Sequence, residues 1–349
     1  MASTPFKFDH VGSFLRPESL KKARRDYEAG SITAEELKSV EDEAITELIK
    51  KEKEVGLHAI TDGEFRRATW HLDFMWAFDG VGHSKTETGL PFHGEAAMID
   101  DTYLTGKIVY KTHPFIEHFK FVQQFEDEDT VAKLTIPAPA QFLEQMIMPF
   151  AWGNTKKFYD TPEQVAEDIA NGYKEFIKDV YAAGCRNLQF DDCSWGMVVD
   201  PSACKFFGTT PAGLEKIKNT LLDINNKSIE GKPEDLVINT HVCRGNFHST
   251  YASSGAYTGV AATLFAKENV NAYYLEYDDE RSGGFEPLKS VTGDKKVVLG
   301  LITTKSPELE DEQAIIDRIN EAAKYIPLDR LCLSPQCGFA SCEIGNKIT

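Results

Sequence analysis

Leu236-Val237-Ile238-Asn239-Thr240-His241-Val242-Cys243 is an apolar, β-branched run that reads as a buried strand ending in a His-x-Cys pair. Residues i and i+2 of a strand face the same way, so His241 and Cys243 can present an imidazole and a thiolate toward one point. That is half of a zinc site. The later segment Pro335-Gln336-Cys337-Gly338 also closes an apolar run. Its Cys337 offers a third ligand and leaves room for an acidic ligand or a substrate. A site made from the ends of separate strands suggests chemistry more than a structural zinc knuckle. Alone, His-x-Cys reads also as a core histidine beside a buried cysteine, so its meaning depends on its surroundings.

Working outward, similar short runs recur at 10–14, 59–62, 133–137, 187–191, 272–277, 296–303 and 330–335, which with 236–243 makes eight candidate strands. Helical patterns lie between them. In 162–183, Val165, Ile169, Tyr173, Phe176, Ile177 and Val180 recur at helix spacing, and in 311–325 so do Ile315, Ile319 and Ala322. Strands alternating with crossover helices predict a parallel sheet, and eight of them predict an α/β protein of the (β/α)8 TIM barrel class. A doubly wound open sheet is the alternative, but no Gly-x-Gly-x-x-Gly follows the first strand. The charged segment 18–56 reads as two helices. The stretch 74–129 breaks the rhythm with Gly, His, Thr and aromatic residues. Alternation in Lys107-Ile108-Val109-Tyr110 and Phe119-Lys120-Phe121-Val122 reads there as a β-hairpin insertion after strand 2, over the barrel mouth. The domain expectation is therefore one barrel over 1–349 with this inserted region. Gly231-Lys232-Pro233 is a turn.

Charge and composition narrow the function. The chain has 55 acidic against 38 basic residues, a net −17, and no extended basic block, which argues against nucleic acid as a partner. The N-terminus lacks the features of a signal peptide, and no apolar run approaches a membrane span, so a cytoplasmic protein without membrane contact is expected. Seven cysteines scattered through 349 residues suit reduced thiols and a metal better than a disulfide framework.

In a barrel of this kind the active site lies at the C-terminal strand ends. The reading places Gly12-Ser13, Asp62-Gly63-Glu64, Asp191-Asp192, His241-x-Cys243, Glu276, Lys305 and Cys337 there. Each has a plainer reading. Ser13 can cap a helix, Asp191 can be a loop carboxylate, and Glu64 can pair with Arg66 or Arg67 at the surface. Glu276, however, closes an otherwise apolar and aromatic strand, where a carboxylate needs a partner or a metal.

This set of segments resembles the zinc-binding catalytic barrel of the cobalamin-independent methionine synthases, most closely their short single-barrel members. The resemblance runs from Asp9-His10-Val11-Gly12-Ser13 to Cys337-Gly338. It implies that His241, Cys243, Glu276 and Cys337 ligate zinc, Zn2+. It further implies that Ser13 and adjacent backbone hold the carboxylate of homocysteine while Glu64 and Asp191 hold its ammonium. The activated thiol then attacks the methyl group on a folate nitrogen, which must be protonated to leave. Where the full-length family has a His before Ser-Pro, this chain has Thr304-Lys305-Ser306-Pro307, making Lys305 the candidate acid. The full-length family also has a second barrel that helps hold the folate, so the donor is a methylated folate or another methyl donor. The sequence reaches Thr349 directly after the last strand's loop, so the helix that closes such a barrel is expected to be missing. Two readings compete: a zinc-dependent alkyl-thiol transferase using another small thiol or donor, and a metal-free barrel like uroporphyrinogen decarboxylase. A purely structural zinc protein is the plainest alternative.

Overall fold

The structure is a computed structural model that describes residues 4–348. After an extended N-terminal segment come helices Glu18–Glu28 and Ala34–Glu54, then strand β1 (Ala59–Ile60). Thr33 and Glu36 form a reciprocal capping box at the start of the second helix, which fixes where it begins. The excursion that follows holds β2 (Asp79–Ser84), β3 (Leu90–Pro91), β4 (Ala96–Ala97) and β5 (Asp101–Val109). β2 pairs antiparallel with β5, and β3 with β4. The chain returns through β6 (Val131–Ala132), β7 (Leu134–Pro137), β8 (Asn187–Asp192), β9 (Val237–Val242), β10 (Ala272–Glu276), β11 (Lys296–Ile302) and β12 (Leu331–Pro335).

From β7 to β12 six neighbouring strands pair in parallel. β6 runs on into β7 and pairs with β1, and Lys133 N donates to the Ile60 carbonyl at 2.9 Å. At the far edge Leu333 of β12 bridges to Phe8, and Asp9 N donates to the Leu333 carbonyl at 2.9 Å. Phe14 N then donates to the Gly63 carbonyl at 3.1 Å, so the N-terminal segment links the two edges of a (β/α)8 TIM barrel.

That N-terminal segment corrects the expectation of a strand at 10–14. Buried side chains take its carbonyls in place of a ladder: Lys133 Nζ donates to His10, Gln189 Nε2 to Val11 at 2.7 Å, and Thr61 Oγ1 to Gly12 at 2.9 Å. Gly12 itself sits at φ +136, and a Cβ there would lie 2.6 Å from the Thr135 methyl. A second correction concerns Phe119-Lys120-Phe121-Val122, which lies in helix Phe115–Gln123. Phe115, Phe119 and Val122 recur at helical spacing and are buried, and this competing period prevails over the alternation. The helix over Pro162–Ala182 buries all six apolar positions predicted for it.

The main apolar core lies between the strands and the surrounding helices, while Val11, Tyr274, Val298 and Cys332 form a small separate cluster. Beside that cluster is a buried polar knot. Lys133 Nζ is 2.8 Å from Asp9 Oδ1, and Tyr274 donates to Asp9 Oδ2 at 2.8 Å. Among the described residues no helix follows β12, and none is long and apolar enough to cross a membrane. Instead the segment after β12 folds back on the strand ends: Trp70 N donates to Ser341 O at 2.8 Å, and Asn346 Nδ2 donates to Asn246 Oδ1 at 2.8 Å.

Candidate active site and metal centre

His241 near the end of β9 and Cys243 just beyond it lie together, and the turn after β12 brings Cys337 against them. His241 Nε2 lies 3.4 Å from Cys337 Sγ, and the two sulfurs are 3.6 Å apart. A tetrahedral zinc with Zn–S of about 2.3 Å and Zn–N of about 2.0 Å separates sulfurs by roughly 3.8 Å and nitrogen from sulfur by roughly 3.5 Å. The three buried donors fit a zinc ion. Cys243 donates toward Glu276 Oε1 at 3.5 Å, so the carboxylate approaches from the Cys243 side. Its Oε2 has no hydrogen-bond partner though fully buried, and burial pushes the group up to about 7, with Cys243 adding to the rise. A buried carboxyl oxygen with no hydrogen bond, and with only the Arg244 guanidinium 3.6 Å away, can still serve as a ligand to a cation.

Neighbouring groups orient these donors. His241 Nδ1 is 3.3 Å from the Tyr274 carbonyl, which takes the Nδ1 proton and leaves Nε2 free as a ligand. Gly245 N donates to Cys243 Sγ at 3.2 Å, and thiols of Cys193 and Cys337 hold Cys243 well below the usual thiol range. Gln336 Nε2 donates to Glu276 Oε1 at 3.3 Å, and the buried Arg244 guanidinium stands 3.6 Å from Oε2.

A cavity of about 700 Å³ opens on the trio and is also lined by Ser13, Glu64 and Asp191. Glu64 Oε1 accepts from Thr135 Oγ1 at 3.0 Å and faces Arg67 at 3.4 Å, while Oε2 is buried without a partner. Asp191 accepts from Gln189 Nε2 at 2.8 Å, and burial pushes it up to about 7, partly offset by His241 and added to by Glu64. Two neighbouring buried carboxylates repel, and a cation between them relieves both. Ser13 Oγ accepts from Ala340 N at 3.3 Å, which leaves its hydroxyl proton to donate. A Cβ at Gly338 would stand 1.9 Å from that oxygen, so only glycine fits there.

Lys305 stands beside the metal donors, not in the cavity wall. Its ammonium donates to Asn246 Oδ1 at 3.4 Å and acts on Glu276 and Cys337 through its charge, but Lys305 is not among the residues lining the cavity. The sequence reading missed Cys193, which hydrogen-bonds Cys243, and Glu144, a buried carboxyl in the cavity wall. Glu144 had the signal that marked Glu276: one carboxylate inside an apolar element, Pro139–Ile147.

The family model described as "Cobalamin-independent synthase, Catalytic domain" matches residues 6–348. Among curated relatives, the uncharacterized protein YxjH of Bacillus subtilis is 42% identical over 346 residues, covering 99% of this chain and 90% of its own. The methionine synthase of Saccharolobus solfataricus is 21% identical over 342 residues, covering 94% and 86%. A crystal structure from Listeria monocytogenes, described as a candidate vitamin-B12-independent methionine synthase, superposes with a TM-score of 0.77. It is 41% identical and covers 98% of this chain and 94% of its own. A B12-independent methionine synthase from Shewanella, solved with selenomethionine, shares the fold at TM-score 0.70 and 18% identity, covering 95% and 90%.

Proposed function

The chain belongs to the family of cobalamin-independent synthase catalytic domains, and from that premise we propose that it transfers a methyl group from a methylated folate to the thiol of homocysteine, forming methionine. In this reading zinc is held by His241, Cys243, Glu276 and Cys337. The observation that carries it is the meeting, in one cavity, of the His241/Cys243/Cys337 donor set with the paired carboxylates Glu64 and Asp191. Zinc, when bound, supplies deprotonation of the substrate thiol near pH 7, where a free thiol of pKa about 8.5 is only a few per cent thiolate.

The chain's own residues bind and aim the amino acid. Glu64 and Asp191 take its ammonium, and the Ser13 hydroxyl donates to its carboxylate. With both ends fixed, the sulfur three bonds beyond Cα reaches the trio. Two thiolates and one carboxylate from the chain offset the cation's charge, which keeps the substrate sulfur nucleophilic. Lys305 sets the charge beside Glu276 and Cys337.

The test is transfer of an isotope-labelled methyl group from N5-methyltetrahydrofolate in the presence of homocysteine. Labelled methionine is expected from the zinc-loaded protein and not after chelation. Transfer that persists after chelation contradicts a metal role, and label on some other thiol but never on homocysteine moves the acceptor to the alkyl-thiol alternative.

A further inference from the structure

Glu144 is a buried carboxyl in the cavity wall that the reaction above leaves unused. Its side chain is 5% exposed, and its Oε2 is buried with no hydrogen-bond partner. An unpaired carboxyl in such a place costs stability. Its position relates it to the chemistry. One turn earlier on the same helix, Gln141 accepts from Cys193 N at 3.2 Å, and the Cys193 thiol hydrogen-bonds Cys243. Glu144 thus stands about one helical turn, roughly 5 Å, along from a residue that touches the metal centre's neighbour. A leaving nitrogen lies one methyl group beyond the attacking sulfur, so its proton donor belongs near the sulfur's seat but not on it.

We propose that Glu144 is the catalytic acid that protonates the leaving nitrogen of the methyl donor, in a part of the cavity that seats the donor's uncharged ring. This rests on the homocysteine methyltransferase reading. In the step, the Glu144 carboxyl gives its proton to the tertiary amine, the homocysteine thiolate forms a bond to the methyl carbon, and the C–N pair stays on nitrogen. The products are a thioether, a secondary amine and the Glu144 carboxylate, which water reprotonates.

The surroundings agree. Burial pushes Glu144 up to about 8, with Asp192 at the end of β8 adding to it, so the group is a protonated acid near pH 7. Asp192 is the charged group that faces it. His71, also in the wall, is pushed down to about 3 by burial and is a neutral imidazole near pH 7, a far weaker acid than an imidazolium. No Lys or Arg lines the cavity among the described residues, whereas Phe92, Met146, Met148, Phe150 and Phe247 do. Such walls suit a flat neutral ring and leave a folate's glutamate carboxylates at the mouth.

The experiment measures methylation of homocysteine by zinc-loaded wild type and Glu144→Gln with two probes: N5-methyltetrahydrofolate, and methyl iodide, whose leaving group needs no proton. The variant is expected to lose about 100-fold or more in kcat with the folate and to stay within about twofold of wild type with methyl iodide. The wild-type fall in kcat near pH 8 should vanish with it. Glu144→Leu, which removes the unpaired carboxyl, should melt higher than wild type and show the same loss with the folate. Unchanged folate turnover in either variant, or an equal loss with both probes, overturns the proposal. So does a wild type that methylates with methyl iodide but not with the folate. Failure of wild type with both probes overturns instead the methyltransferase reading.

Discussion

Glu64 meets two demands at once. Its backbone sits at φ +63, a conformation non-glycine residues seldom adopt, and its Oε2 is buried without a partner. Strain and an unpaired oxygen at one residue mark a position shaped for a ligand. Across from it Asp191, pushed up to about 7, shares the same cavity. If the pair holds an ammonium, each contact contributes about 1.5 to 3 kcal/mol. Glu64→Gln and Asp191→Asn should then each weaken homocysteine binding roughly ten- to a hundred-fold by calorimetry, with zinc content unchanged. A thiol without the amino group should respond little to either change. These residues were legible in the sequence only together with the resemblance to a family. A carboxylate after a strand has too many plain explanations to be read alone, and nothing in the local pattern announces the left-handed backbone at Glu64.

At the scale of elements, the parallel strands from 59 onward were readable because both faces of a barrel strand are covered, which leaves nearly continuous apolar runs. The segment 10–14 was misread for the same reason in reverse. Its apolar Val11 and Phe14 look like strand residues, but Lys133, Gln189 and Thr61 reach across and take its carbonyls. No local pattern carries contacts with residues 50 to 180 positions away. Lys133 also neutralises Asp9 inside the barrel, where both side chains are fully buried. Removing one partner of a buried pair typically costs about 3 to 5 kcal/mol. Lys133→Met should therefore lower unfolding free energy in urea by that amount, and a loss under about 1 kcal/mol would show that the knot does not hold the N-terminal segment in place.

At the scale of the whole molecule, the fold gathers Ser13, Glu64, Asp191, His241 and Cys337 onto one cavity although they span most of the sequence. The sequence located this gathering through strand ends, since the ring of strands places every C-terminal end on one face. The segment after β12 was not legible. In place of the closing helix, which was expected to be missing, Gly338 and Ala340 complete the pocket around Ser13. The central claim is that the substrate sulfur joins a zinc held by two cysteines, and it is independent of which donor supplies the methyl group. Zinc-edge X-ray absorption on the zinc-loaded protein, with and without homocysteine, measures it most directly. The count of sulfur ligands is expected to rise from two to three on adding homocysteine, and to stay at two with 2-aminobutyrate, which lacks the thiol. A zinc environment that homocysteine leaves unchanged contradicts the account.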